Sequence, residues 1–394
     1  RDLNLNEGVS RLTGTKADKE LRDFVVGKME ELNLDIKIDK VGNIFGRWEG
    51  RSNKTIMVGS HLDSVINGGH FDGALGVLSA IDAVRKLKKE NFKNKRSIEI
   101  VVFTGEEGSA FPVVCLGSKV LVGKLSLEEA YKLKNNEGKT LLDVLENIGY
   151  KGTYTRDLSN VSYFLELHIE QGPVMDESQA EIGVVDNIMG ISWIQARIYG
   201  KQAHAGGFPM DKRIDPTIAA ADIIFFVNHI VKEFIIAEKR YSIKGTVGKI
   251  FSYPGSPNVI PGYVDLGIDI RDSKKDTFES LINSIQIHIK NTENIYKVKP
   301  KIASISKFND PIELNIKVRK LIEEESRKAG YKTIHLDSGP THDAAIMATK
   351  TKGGMIFVPS REGISHSPLE WTNLEDCKKG AYILKKTIEK LASE

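Results

Sequence analysis

The chain has little of several things that mark large protein classes. It holds two cysteines in 394 residues, Cys115 and Cys377, which form no CxxC pair and are too few for a disulfide framework. Such sparing use fits a reducing compartment, so a cytoplasmic location is expected. No apolar run approaches the roughly 20 residues that span a bilayer, so no membrane partner is expected. An excess of one charge is also missing. Lys and Arg number 56 against 53 Asp and Glu, a net +3, which argues against nucleic acid. The basic run "KLKKENFKNKR" (86–96) reads as a solvated helix end and turn. Internal repeats, heptads and low-complexity tracts are absent as well. The length calls for more than one core, and two domains are expected.

The first 187 residues alternate amphipathic segments with short, β-branched, almost wholly apolar runs. "LRDFVVGKMEELNL" has a helical period, whereas "TIMVGS", "SIEIVVFTG" and "VSYFLELH" suit strands buried on both faces of an α/β sheet. Near residue 188 the texture changes. "ISWIQARIYG" (191–200) alternates like a half-exposed strand. A helix over Asp215–Lys239 follows, with Pro216 at its start. The strands "YSIKGTVGKIF" (241–251) and "YVDLGIDIR" (263–271), the helix "DTFESLINSIQIHIK" and the strand "KVKPKIASIS" complete the segment. This β-α-β-β-α-β order is ferredoxin-like. The α/β texture returns with "IKVRKLIEEESRKAG", "GMIFVPS" and a last helix from Asn373. The expected organisation is therefore one α/β domain built from 1–187 and 309–394, with an α+β domain inserted over 188–308.

Ligand-type residues collect where apolar runs end, which in α/β sheets is where sites form. His61 follows "TIMVGS", Glu106 and Glu107 follow "SIEIVVFTG", His168 closes "VSYFLEL", and His366 lies beyond "GMIFVPS". Asp72 opens the next helix after His61. A lone glycine-rich stretch with two histidines reads as an ordinary turn, and a lone Glu-Glu pair as a solvated one. Four separate runs delivering such residues at the same end are harder to assign to chance. Imidazole and carboxylate together suit zinc, manganese or cobalt, and a carboxylate can bridge two ions. His61, Asp72, Glu107, His168 and His366 supply one bridge and two ligands per ion. Of the adjacent glutamates, one can bind metal while the other takes a proton from water. Asp63 is placed to orient the His61 imidazole. His229 and His288 fall within helices and read as packing or surface residues, His70 as a turn residue, and His335 has no assigned place.

Seven stretches run in order from residue 59 to 372: "GSHLDSVINGGHFDGALGVL", "FTGEEGSAF", "ELHIEQGPV", "GKQAHAG", "DIRD", "SGPTHDA" and "GISHSPLEWT". With these in hand the chain resembles the metal-dependent amidases that include N-carbamoyl-L-amino-acid hydrolases, β-ureidopropionases and allantoate amidohydrolases. These are relatives of the dinuclear zinc aminopeptidases and carboxypeptidases. The resemblance implies a zinc-exopeptidase-like α/β catalytic domain with an inserted ferredoxin-like lid and dimerisation domain. It implies two divalent cations per subunit (Zn, Mn, Co or Ni). His61, Asp72 and His168 would hold one, and Asp72, Glu107 and His366 the other, with Glu106 as general base. It further implies that Gln171, Asn258 and Arg271 contact substrate, and that His204 acts catalytically and can reach a partner's site in a homodimer. Histidine rather than an acid at position 168 favours the carbamoyl branch. The chain departs from the family's small-residue pattern at Pro340 and Thr341.

The leading expectation is hydrolysis of an N-carbamoyl-L-amino acid to the amino acid, CO2 and ammonia. Allantoate is the near rival, and a peptidase or aminoacylase the further one. A catalytically silent binding protein is a rival of another class, but it would have no use for Glu106. "GALG" alone is too short a phrase for dinucleotide binding.

Overall fold

The computed structural model describes residues 8–240 and 242–394. It divides into two units, one made by the chain up to Asp186 together with Leu314–Glu394, the other by Asn187–Glu313. In the first unit a hairpin of β1 (Asp35–Ile38) and β2 (Ile44–Trp48) leads to β3 (Thr55–His61), β4 (Ser97–Phe103), β5 (Val161–Ile169) and β6 (Ile182–Ile188). The late strand Lys352–Val358 completes the centre of the sheet, whose order there is β1-β2-β4-β3-β5, late strand, β6. Four neighbours, β4, β3, β5 and the late strand, run parallel. Every residue of β3 and β4 is buried, as continuous apolar composition requires of strands covered on both faces. Helices Ala74–Lys89, Ile316–Lys328 and Leu374–Ser393 pack together on this sheet. Because the four strands are parallel, their carboxyl ends share one edge.

The second unit has its own core and the expected ferredoxin-like order. β7 (Gly190–Tyr199), helix Pro216–Glu238, β8 (Lys244–Tyr253), β9 (Tyr263–Asp272), helix Lys275–Tyr296 and β10 (Lys299–Asn309) follow one another. The sheet order is β10-β7-β9-β8, antiparallel throughout. Alternation along β7 turns Ile194, Ala196 and Ile198 into the core with Ile223, Leu266 and Phe278. Trp193 and Tyr199 point the other way and stay exposed. Asp215 caps the first helix by accepting from Thr217 N–H, and Pro216 follows where its missing N–H costs nothing.

Three readings of the chain need adjustment. Tyr241, where the sequence reading begins a strand, lies outside the described residues, and β8 starts at Lys244. The inserted unit ends at Glu313 rather than 308, because Ile312 and Glu313 pair back onto Ile188 and Asn187. β1, β2 and β6 were not legible, since their short mixed sequences lack a clear period. No helix among the described residues is long and apolar enough to cross a membrane.

Candidate metal centre

The shared carboxyl edge carries the candidate ligands. His61 is the last residue of β3 and His168 the next-to-last of β5. Asp72 precedes helix Ala74–Lys89 across Gly73, whose φ is +64°. A Cβ at Gly73 would meet the His61 ring at 2.5 Å, so only glycine lets this turn close against the imidazole. Glu106 and Glu107 stand in the turn after β4, and His366 in the loop after the late strand. His366, Gln171 and Cys115 all adopt positive φ, so non-glycine backbone strain gathers at this edge.

Two donor groups form around Asp72. His61 Nε2 lies 3.3 Å and His168 Nε2 3.1 Å from Asp72 Oδ1. His366 Nε2 lies 3.4 Å from Asp72 Oδ2 and 3.3 Å from Glu107 Oε2. The donor atoms of His61, Asp72 and His168 all fall within 4.8 Å of one another, as do those of Asp72, Glu107 and His366. The two carboxylate oxygens of one aspartate thus face different triads. His61 Nδ1 bonds the Asp63 carbonyl at 3.0 Å and His168 Nδ1 the Ile169 carbonyl at 2.9 Å. Each bond places the proton on Nδ1 and aims the Nε2 lone pair into the site. A third group, Glu166, His168 and His342, is spoken for. Glu166 accepts from Ser60 Oγ and Ala344 N–H, and His342 Nε2 bonds Ser338 Oγ.

The electrostatics call for positive charge. Burial alone would lower the His61 pKa, yet Glu106, Asp72 and Asp63 raise it well above the usual imidazole value. Asp72 is likewise buried, and His168, His366 and His61 nonetheless hold it well below the carboxylate range. Hydrogen bonding to Asp72 and Glu107 pushes His366 up to about 10. Burial, with the Asp72 charge added, raises Glu107, whose Oε1 is buried without a hydrogen-bond partner. An orphaned carboxylate oxygen beside histidines that bind protons so tightly fits a cation site. The residues present therefore fit a divalent metal group in donor chemistry and in placement.

Glu106 faces this centre, with Oε2 3.8 Å from His61 Nε2. Burial first, then the charges of Glu107 and Asp343, raise its pKa well above normal. Its other oxygen accepts a hydrogen bond from the Cys115 thiol at 3.3 Å. Gln171 donates from Nε2 to Asp72 Oδ2 at 2.7 Å, and its Oε1 is buried and unpartnered.

Asp63 meets His61 through its backbone carbonyl and has a second task as well. That imidazole uses the Asp63 backbone carbonyl, while the carboxylate, 3.8 Å from Nδ1, accepts the N–H groups of Glu106 and Glu107 at 3.1 and 3.2 Å. Asp63 therefore orients the glutamate pair. Sequence reasoning also missed Glu370, which accepts the Phe71 and Asp72 N–H groups. It missed Arg11 too, whose buried Nε donates to the Leu62 carbonyl. Glu370 lies within the quoted stretch "GISHSPLEWT", four residues after His366, a signal that could have found it; nothing near Arg11 along the chain marks that residue.

His204, Asn258 and Arg271 belong to the second unit. A two-residue ladder pairs His204 with Val259, and Ala205 N–H donates to the Asn258 carbonyl, so these two are neighbours. His204 Nδ1 accepts the N–H groups of Gly206 and Gly207, both at 3.1 Å. That leaves the ring proton on Nε2, as an outward donor. Arg271 sits near the far end of β9 and forks onto Asp269 through Nε and Nη2. Of the remaining histidines, His288 stacks on Phe226 and bonds Asp222, and His335 meets Asp186. His70 keeps a buried, unpartnered Nε2 in its turn.

A parallel sheet whose carboxyl edge gathers histidines and carboxylates around a buried glutamate defines the class, a metal-dependent α/β hydrolase. The chain belongs to peptidase family M20/M25/M40, which matches residues 57–390. It is 36% identical over 393 residues to an N-carbamoyl-L-amino acid amidohydrolase of Geobacillus stearothermophilus, covering 98% of this chain and 94% of that one. It is 34% identical over 395 residues to a ureidoglycolate hydrolase of Arabidopsis thaliana, covering 98% and 82%. A crystal structure of a hydantoinase/carbamoylase-family amidase from Burkholderia multivorans superposes with a TM-score of 0.92 at 30% identity, covering 100% and 94%.

Proposed function

We propose that the chain is a two-cation amidohydrolase whose substrate is an N-carbamoyl-L-amino acid. One water enters, the carbonyl–nitrogen bond to the amino acid breaks, and the released carbamate decays to CO2 and ammonia. The observation that carries this reading is Asp72, whose two oxygens each face a separate donor triad beside Glu106. When bound, divalent cations such as Zn, Mn, Co or Ni supply Lewis acidity, polarising a carbonyl and making water at the site more acidic.

The chain's own residues do the rest. Glu106 takes the proton from the attacking water and returns it to the leaving nitrogen, a task suited to a carboxylate whose basicity burial has raised. Asp63 fixes the backbone from which Glu106 and Glu107 project. His204 donates from Nε2 to the carbonyl oxygen as it gains charge. Arg271 binds the substrate carboxylate, and Gln171 and Asn258 bind polar groups of the substrate.

The same reading includes a homodimer in the cytoplasm. Nine residue-to-residue steps along extended β9 lead from Gly262 to Arg271, a span of about 30 Å. Gly262 bonds Gly200 at the end of the sheet from which His204 and Asn258 depart. That span, longer than a carbamoyl amino acid, supports a site completed by a second copy. Exposed Ile218, Phe225 and Ile236 on helix Pro216–Glu238, with Ile250 and Phe251 on the edge strand β8, offer an apolar face for the second copy.

The test is ammonia release from the ureido substrates, and free amino-acid release from the other two, by metal-free protein reloaded with Mn, Co, Zn or Ni. Substrates are N-carbamoyl L- and D-amino acids, N-carbamoyl-β-alanine, allantoate, ureidoglycolate, a dipeptide and an N-acetyl amino acid. Metal-dependent turnover of the N-carbamoyl L-amino acid is expected; turnover confined to the dipeptide or acetyl substrate overturns the reading. A ureido acid such as allantoate is the second reading, favoured by the similarity to a ureidoglycolate hydrolase.

A further inference from the structure

Asp72 and His366 come from segments 294 residues apart, yet they must meet within one centre. A buried carboxylate joins the two segments. Glu370 Oε1 accepts the N–H groups of Phe71 (2.9 Å) and Asp72 (3.2 Å), while Oε2 accepts the Ser365 hydroxyl (2.8 Å). A Cβ at Gly69 would lie 2.0 Å from the same carboxylate, so the chain leaves this approach open. Ser365 has one proton and two acceptors to choose from, because Asp72 Oδ2 lies 3.3 Å from its Oγ. The shorter contact, to Glu370, takes it. Ser365 Oγ is then an acceptor, and Gln171 Nε2 lies within 3.4 Å of it.

We propose that Glu370 is a positioning residue that turns the Ser365 hydroxyl away from Asp72, so that the cation shared with Glu107 and His366 has only the Gln171 amide, 2.7 Å from Asp72 Oδ2, and not the hydroxyl as well, to displace from that oxygen. A carboxylate only accepts hydrogen bonds, so Glu370 dictates which way the hydroxyl points. Glu370→Gln reverses this with almost no change of shape. The amide oxygen must stay on the Phe71 and Asp72 N–H groups, which forces its NH2 toward Ser365. The Ser365 proton then swings onto Asp72 Oδ2, and a cation must break that bond to bind. The other triad uses Oδ1 and is spared.

This inference rests on the two-cation reading, and the experiment separates the two. Metal-free full-length protein is titrated with Mn2+ by calorimetry, with thermal unfolding of each metal-free variant as the folding control. Wild type is expected to bind two ions; a single ion overturns the two-cation reading itself. Glu370→Gln is expected to weaken one of the two by about tenfold or more and leave the other within about threefold. Adding Ser365→Ala removes the misdirected hydroxyl and is expected to restore the weakened ion. Ser365→Ala alone is expected to bind both at least as tightly as wild type. Equal weakening of both ions by Glu370→Gln, no repair in the double variant, or loss of an ion in Ser365→Ala overturns the role proposed for Glu370. A structural role alone predicts no repair. If Glu370→Gln does not fold, loss of an ion in Ser365→Ala alone still overturns the role.

Discussion

The two units solve opposite problems with their sheets. The first buries its parallel strands on both faces and exposes only their ends, so function concentrates at one edge where loops emerge. The second covers one face of an antiparallel sheet and leaves the other face and both edge strands unpaired among the described residues. Of its side chains of interest, His204 and Asn258 are neighbours beyond one end of the sheet, while Arg271 sits near the other end. The difference teaches that parallel strands buried on both faces gather candidate donors at one edge of one unit, whereas an antiparallel sheet with one open face does not.

The sharpest break of this comparison is at Glu106. Glu106→Gln is expected to lower kcat by about 1,000-fold or more with the metal content unchanged, since it removes the proton acceptor and spares both triads. Retained turnover, measured as ammonia release, would give the base role to another group. Next comes a buried ion pair that supports the first unit. Arg22 and Asp18 are fully buried and 2.7 Å apart, and Arg22 also reaches the Gly42 carbonyl and Thr104, two residues before Glu106. Arg22→Met strands the Asp18 charge and is expected to cost about 3–5 kcal/mol of stability in denaturant unfolding.

His204→Ala is expected to lower kcat by about 100-fold or more while leaving metal binding intact. The informative measurement mixes two inactive proteins, His204→Ala and Glu106→Gln, under conditions that let subunits exchange. If His204 serves the partner's site, mixed dimers hold one site with both groups and activity returns. No recovery, with exchange verified, would place His204 in its own copy's site. The smallest effect belongs to the open face of the second unit. Arg197 and Asp265 pair at 2.6 Å but remain partly exposed, so Arg197→Ala is expected to leave the denaturation midpoint nearly unchanged. A cost matching that of Arg22→Met would show that this face is covered in solution.

The reading from sequence succeeded where the physics is local. Apolar runs without alternation mark β3, β4 and β5, and a ligand-type residue at the end of each is a statement about parallel strands. The ferredoxin-like order followed from periodicity and the Asp215-Pro216 start of a helix. β1 and β2 stayed hidden because short, partly exposed strands carry no clear period. The link of Asp63 to His61 was legible because the two are close in sequence, whereas the bonds of its carboxylate to the backbone of Glu106 and Glu107, more than forty residues on, were not.

By itself, then, the sequence determined which residues are chemically able to bind metal and at which end of the sheet they lie, since strand burial and composition are properties of neighbouring residues. Only the tertiary structure decided how Asp72 divides its two oxygens, that Glu370 and Ser365 join segments some 300 residues apart, and that Arg271 lies toward the end of its sheet opposite the Gly200–Gly262 contact. Those are matters of hydrogen-bond direction and distance between remote segments, and the order of residues along a chain does not carry them.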